Sequence, residues 1–213
     1  MGTRHDMPPC GYYTASEVGR LAGVSGKTIG QWARHGFIRS SRSGGRPRIY
    51  SFQDVGEAIV VHLLRKRGAK WPDIRAAIEE LRTKHGTAWP LSCSDIATRG
   101  SHIVEPAAGV EYDIGKRWQR FFDPELKPEM VSDLLRRGGW ATEQTGARHI
   151  EVNPARLSGR PTIRGTRIAA EKVASIALAP GGREVLKDGY DLRDEEIDDA
   201  VRWWQAVQQY EAA

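Results

Sequence analysis

Lys27, Thr28, Gln31 and Arg34 recur at helical spacing in the stretch SGKTIGQWARHG, so their polar ends share one side of a short helix. Side chains of this kind hydrogen-bond to base edges: a glutamine can pair with adenine and an arginine with guanine. Directly after them, residues 39–48 (RSSRSGGRPR) hold four arginines, Arg39, Arg42, Arg46 and Arg48, and no acid. Such a run can neutralise phosphates or enter a minor groove; the alternative is a solvated loop. A third group, Arg160, Arg164 and Arg167, lies in the string GRPTIRGTRI. These guanidiniums can meet DNA phosphates, reach bidentately into the carboxylate cluster of a partner, or pair within the chain with the acidic last helix.

Catalytic patterns are missing. The six histidines, at 5, 35, 62, 85, 102 and 149, show no HxxxH or His-Cys ligand spacing. GxSxG and GxGxxG do not occur, and GGREVLKDG lacks the Gly-Lys-Ser/Thr ending of a phosphate cradle. The acids around Asp198-Asp199 are better explained by a helix dipole and by solvation than by a metal. Cys10 and Cys93 stand far apart without a CxxC partner, which points away from a disulfide or a metal centre and towards a reducing cytoplasm. No apolar run is long enough for a membrane span, and the N-terminus lacks the apolar core of a signal peptide. The expectation is a cytoplasmic binder that is not an enzyme and carries no cofactor or metal.

The elements that must position these groups have clear sequence signals. Thr14 followed by Glu17 is a capping box, Val18, Leu21 and Ala22 share a face, and Gly23 ends the first helix. Ser25 caps a second helix whose Ile29, Trp32 and Ala33 turn inward. Gly44-Gly45 reverses the chain, and Ile49-Tyr50 resumes a strand, so the arginine run reads as a wing. A longer helix follows from Ser51 to about Arg67, with Val55, Ile59, Val60, Leu63 and Leu64 as its stripe. Another opens at Trp71-Pro72, with Ile74, Ala77, Ile78 and Leu81 inward.

Beyond residue 86 the signals weaken. Residues 102–105 and 110–114 can pair as a hairpin, and residues 129–137 can form a helix with Met130, Leu134 and Val131 inward. Trp118, Phe121 and Phe122 are read as packing. From His149 the pattern sharpens: IEVNP is a short strand, and a helix led in by Thr166 or Arg167 carries Ile168, Val173, Ile176 and Ala177. A short helix follows with Val185 and Leu186 buried and Gly189 as its stop. The last helix sets Ile197, Val201, Trp204 and Val207 on one stripe. Trp203 falls beside that stripe and is left for a partner surface, where tryptophan is a common anchor.

Charge divides along the chain. Residues 1–85 hold 15 Lys and Arg against 7 Asp and Glu, whereas residues 181–213 hold 4 against 9. A basic head on an acidic tail implies a polyanion at one end and a different partner at the other.

The run YTASEVGRLAGVSGKTIGQWARHGFI, the segment RIYSFQDV and the later RKRGAKWPDI resemble the DNA-binding domain of MerR-type regulators over about residues 12–85. That resemblance implies a second helix in the major groove and a wing on the backbone, with Lys27, Thr28, Gln31, Arg34, Arg46, Arg48 and Tyr50 in those roles. The long coiled-coil helix and the cysteine cluster of metal-sensing members are not matched. IEVNP, GRPTIRGTRI and GYDLRDEEIDDAVRWW resemble a small bacterial family, domain of unknown function 433. Members of that family look like antitoxins encoded beside PIN-type nucleases. The combination resembles a VapB-class antitoxin, which implies a VapC-like ribonuclease as partner and Arg160, Arg164, Arg167 and Trp203 as toxin-facing residues.

The expected fold is mainly α with small β-hairpins, an N-terminal winged helix-turn-helix plus a C-terminal three-helix HTH-like domain. The expected division is 1–86, a connector 87–148, and 149–213. The expected partners are double-stranded operator DNA, a PIN-domain ribonuclease toxin and a second copy in a homodimer, with no membrane. The alternative is a stand-alone MerR-like regulator whose C-terminal half dimerises or senses a ligand.

Overall fold

The computed structural model describes residues 8–93, 97–99, 102–107, 110–113, 119–121 and 128–210. Its first helix, α1 (Ala15–Ala22), starts at the expected capping box. The Glu17 N–H donates to the Thr14 hydroxyl at 3.3 Å, and the Thr14 N–H donates back to the Glu17 carboxylate at 2.7 Å. Gly23 closes it at φ 76°. The second helix, α2 (Gly26–Arg34), is capped by Ser25. The turn between the two helices closes on Gly19, where a Cβ would run into the Val24 carbonyl and meet the first residue of α2, Gly26.

Helix α3 (Phe52–Lys66) is central. The expected stripe of Val55, Ile59, Val60, Leu63 and Leu64 is buried, but so are Ala58, Val61 and the carboxylates Asp54 and Glu57. A helix surrounded on every side has no polar face for periodicity to report. Helix α4 (Trp71–His85) buries Ile74, Ala77, Ile78 and Leu81, as its spacing implies, and ends at Gly86 with φ 63°. A short helix, α5 (Pro90–Cys93), leans on α3: the Ser92 N–H donates to Glu57 at 2.8 Å. Burial pushes the Glu57 carboxyl up to about 8, although the Ser92 and Leu91 N–H groups act to lower it.

The described residues of the middle segment hold more regular structure than its sequence announces. Strands β1 (Ala97–Arg99), β2 (His102–Ala107), β3 (Val110–Asp113) and β4 (Gln119–Phe121) form an antiparallel meander. The foreseen hairpin is its centre, with Glu105 opposite Tyr112; the two outer strands were not foreseen. Helix α6 (Pro128–Arg136) buries Val131, Leu134 and Leu135. Ile114, Trp118, Phe122 and the side chains of Phe121 and Met130 lie outside the described residues. Helix α7 (Trp140–Thr145), also unforeseen, begins at Gly139, whose backbone presses on Leu21 of α1.

The C-terminal part opens with β5 (Ile150–Glu151) paired to β6 (Thr162–Ile163) around a 3-10 turn at Leu157–Gly159. Three helices follow: α8 (Ala170–Ala177), α9 (Gly182–Tyr190) and α10 (Asp194–Gln208). Helix α8 starts later than Thr166 or Arg167, because Ile168 and Ala169 stay extended and bond to Ile163 and Thr162. Helix α9 runs through Gly189 to Tyr190 and stops at Asp191, φ 53°. Val185 is 54 % exposed rather than buried; Leu186 alone of that pair turns inward.

The buried apolar residues run without a break from Val18 and Ile29 through Leu134 to Ile197 and Val207. Several contacts seal the junction. The Tyr12 N–H donates to the Ser158 carbonyl at 2.9 Å, and Tyr13 packs against Gly11 and Gly159. The mainly helical fold with its N-terminal helix-turn-helix agrees with the sequence reading.

Candidate nucleic-acid interface

Helix α2 presents Lys27, Gln31, Arg34 and His35 as exposed side chains, while Ile29 and Trp32 anchor its other side in the core. Thr28 is only half-exposed, and its hydroxyl lies 2.9 Å from that of Ser25, within the cap. The helix therefore offers a row of donors held rigidly by packing, which is what reading a groove requires.

The wing is shorter than a full hairpin. One bridge, Ser43 to Ile49, closes it, and a second, Tyr13 to Tyr50, ties its return to the segment before α1. Its base is fixed by Asp54. The Ser41 N–H and hydroxyl donate to this carboxylate at 2.8 and 2.6 Å, the Ser51 N–H at 2.8 Å, and the Trp89 indole N–H at 2.8 Å. Arg46 is exposed at the tip and Arg48 half-exposed on the return.

Two expected members of this face lie elsewhere. Tyr50 is fully buried, because the bridge to Tyr13 turns its ring into the core. Its hydroxyl cannot reach DNA in this arrangement, and burial pushes its ionisation upward. Arg42 points back into the protein. Its Nη1 donates to the Pro9 carbonyl at 2.8 Å, and its guanidinium covers the Tyr12 ring at 3.9 Å. It stitches the N-terminal segment down instead of meeting a phosphate.

Residues that the spacing did not single out complete the surface. A cleft of about 620 Å³ beside the end of α2 is bounded by Gly36, Ile38, Arg39, Arg48 and Arg82. A second, of about 370 Å³, lies on the other side between Gln31, His35, Phe37, Trp71 and Arg75. Arg75 and Arg82 sit two turns apart on α4, and Arg75 Nη2 donates to the His35 carbonyl at 3.2 Å. The helical spacing of these two arginines was the available signal. Recognition donors flanked by arginine-lined clefts match a duplex, which presents base edges between two phosphate strands.

The C-terminal arginines separate into two kinds. Arg160 Nε lies 3.5 Å from Glu17 Oε1 of α1, so its pairing is within the chain but not with α10. Arg164 and Arg167 are exposed and form no ion pair among the described residues. The acids of α10 take other partners: Asp194 and Asp198 hold Arg183, Lys187 reaches Asp194 at 2.6 Å, and Asp199 holds Arg202. Asp199 is buried, which alone would raise its carboxyl. Hydrogen bonds from Arg202 and from the Arg148 and His149 N–H groups hold it below the usual range instead.

Trp203 lies in the core and not on a partner surface. It is 2 % exposed, and its indole N–H donates to the Gly138 carbonyl at 2.8 Å. The stripe facing α7 and α8 is Ile197, Ala200, Trp203 and Val207; Val201 and Trp204 are half-exposed. Spacings of three and four residues fit a helix equally well, and the neighbours on both sides decide between them.

Among the described residues no group of three His, Cys, Asp or Glu is placed to hold a metal ion, and no helix is long and apolar enough to cross a membrane. Residues 13–81 match the family described as MerR HTH family regulatory protein, and residues 150–203 match the protein of unknown function family DUF433. An uncharacterized protein of Mycobacterium tuberculosis, Rv2308, is 24 % identical and covers 89 % of this chain and 88 % of its own. The crystal structure of Rv2018 from the same organism aligns with a TM-score of 0.58 at 18 % identity, covering 92 % of this chain and 98 % of that one. The fold is thus shared along nearly the whole length of both. The chain carries a MerR-family helix-turn-helix domain, which suggests a DNA-binding regulator, followed by a DUF433 domain.

Proposed function

We propose that this chain is the antitoxin of a type II toxin-antitoxin system. Its N-terminal half represses its own operon by binding operator DNA, and its C-terminal half binds and inhibits a PIN-domain ribonuclease of the VapC kind. The reading assigns it no catalysis, a cytoplasmic location and a homodimeric state, since helix-turn-helix proteins read two-fold operators as dimers.

The observation that carries the DNA half is the exposed row Lys27, Gln31 and Arg34 between arginine-lined clefts. The toxin half is supported by the DUF433 domain and by the loop between β6 and α8. There Arg164 and Arg167 project without an ion pair among the described residues. A guanidinium in that position can enter a cluster of metal-binding carboxylates bidentately and displace the ion.

The test is co-expression with the product of the neighbouring small reading frame. The two proteins should copurify, and excess of this chain should abolish RNA cleavage. Changing Arg164 and Arg167 together to alanine should restore cleavage. Undiminished cleavage at excess of the unaltered chain overturns the toxin half and leaves the stand-alone regulator, which binds DNA without a nuclease.

A further inference from the structure

A cleft of about 530 Å³ lies where α1 of the helix-turn-helix meets the C-terminal helices. Its apolar wall is made by Leu21 of α1, Ile176 of α8 and the half-exposed Trp204 of α10. Its cations come from both halves of the chain: Arg20 from α1, Arg160 from the loop before β6, and Lys172 from α8. The same lining holds two carboxylates, Glu17 and Glu171, so its formal charge is net positive.

Two ion pairs cross the cleft in opposite directions. Arg20 of α1 lies 3.8 Å from Glu171 of α8, and Arg160 lies 3.5 Å from Glu17 of α1. Both are longer than the 2.7–2.9 Å or so of a close charge-assisted hydrogen bond. Arg160 is 64 % exposed, and Lys172 has no ion pair among the described residues, its ammonium resting 5.0 Å over the Tyr190 ring. Arg20 lies 4.8 Å over the Trp204 ring, so a cation is already held beside the aromatic wall. The volume falls in the roughly 300–1,000 Å³ span of small-molecule sites, and an apolar wall with a few convergent charges is their usual make-up.

We propose that this cleft binds a small planar anion: an aromatic carboxylate, sulfonate or phosphate. Its ring lies along Trp204 and Ile176, and its charge sits between Arg160 and Lys172. Such a ligand touches α1, α8 and α10 at once, and α1 is the helix against which α2 packs. The inference rests on neither DNA binding nor the nuclease partner, so it can fail or hold independently of both.

The full chain is titrated with anilinonaphthalene sulfonate, a planar aromatic anion that fluoresces in apolar surroundings. A single saturable site is expected, with quenching of tryptophan emission. Phenylnaphthylamine, the same body without the sulfonate, should bind about tenfold more weakly or worse, as should the sulfonate to Arg160→Gln combined with Lys172→Gln. Ser175→Trp, which fills the cleft from α8, should abolish binding. Circular dichroism and a thermal melt check each variant, and the exposed Arg160 and Lys172 changes carry the test should the tryptophan variant not fold. Equal affinity for the neutral probe overturns the proposal. So does binding that survives both the double variant and Ser175→Trp, or that is lost instead in Leu178→Ser, at an exposed leucine that does not line the cleft.

Discussion

The Ser41 hydroxyl donates to the Asp54 carboxylate at 2.6 Å, joining the base of the wing to the first turn of the central helix. Asp54 is fully buried and also receives the Ser51 N–H and the Trp89 indole N–H. Buried donors left without their acceptor cost about 1–3 kcal/mol, more where the missing partner is charged. Asp54→Ala should therefore destabilise the protein by about 3 kcal/mol, read as a lower urea midpoint with an unchanged slope. Because the wing is held there, DNA affinity should also fall in this variant at temperatures where it remains folded.

The DNA face divides by role. Arg46→Ala and Arg48→Ala should each weaken binding to every duplex and reduce the salt slope by about 1. Gln31→Ala and Arg34→Ala should relax base preference instead, by about 1–3 kcal/mol for each side chain that reads a base edge. Tyr50→Phe should leave DNA affinity unchanged, since that hydroxyl is buried with no hydrogen-bond partner among the described residues. Fluorescence anisotropy on duplexes from the upstream region, repeated across salt concentrations, separates the three outcomes. A strong loss in Tyr50→Phe would return that residue to the interface.

Glu57 makes stability depend on pH. Its folded-state value of about 8 lies above its ordinary 4.5, so the folded chain holds a proton that the unfolded chain releases. Stability from this source is full below about 4.5 and is lost as pH rises through about 8, by a few kcal/mol at most. Glu57→Gln keeps an acceptor for the Ser92 N–H and removes the titration. The variant should melt at a nearly constant temperature across that window, where the parent declines.

The tandem tryptophans should behave unequally. Trp203→Ala empties a buried site and strips a partner from the Gly138 carbonyl, which should cost about 3–5 kcal/mol. Trp204→Ala should cost less, roughly 1–2 kcal/mol, because its ring is half-exposed at the edge of the core beside Arg20. Thermal melts of the two variants decide the matter, and equal losses would contradict the assignment of the stripe.

Local chemistry made much of this fold legible. The Thr14–Glu17 box and the Ser25 and Ser51 hydroxyls mark helix starts by accepting backbone N–H groups, and Pro72 marks one because it has no N–H to leave unpaired. Long-range packing was not legible. Helix α7 has no side-chain cap at its start, where Gly139 nests against Leu21 of a distant helix. Val185 and Trp203 were misplaced because a helix with neighbours on two sides admits more than one stripe. Arg42 and Tyr50 belonged by position to the arginine run, but the Tyr12–Tyr13 segment that receives them lies far back in the chain. Arg75 and Arg82 came to the DNA face from a helix read only for its core.

The bond from Tyr12 to Ser158 has a consequence for folding in time. The segment leading into α1 is synthesised long before its partner at Ser158. Pairing so distant in sequence closes late, after the local helices have formed. A nascent or prematurely ended chain can thus form α1 and α2 while the clasp over their entrance stays open. The entrance to α1 is complete only once the turn at Ser158 has been made.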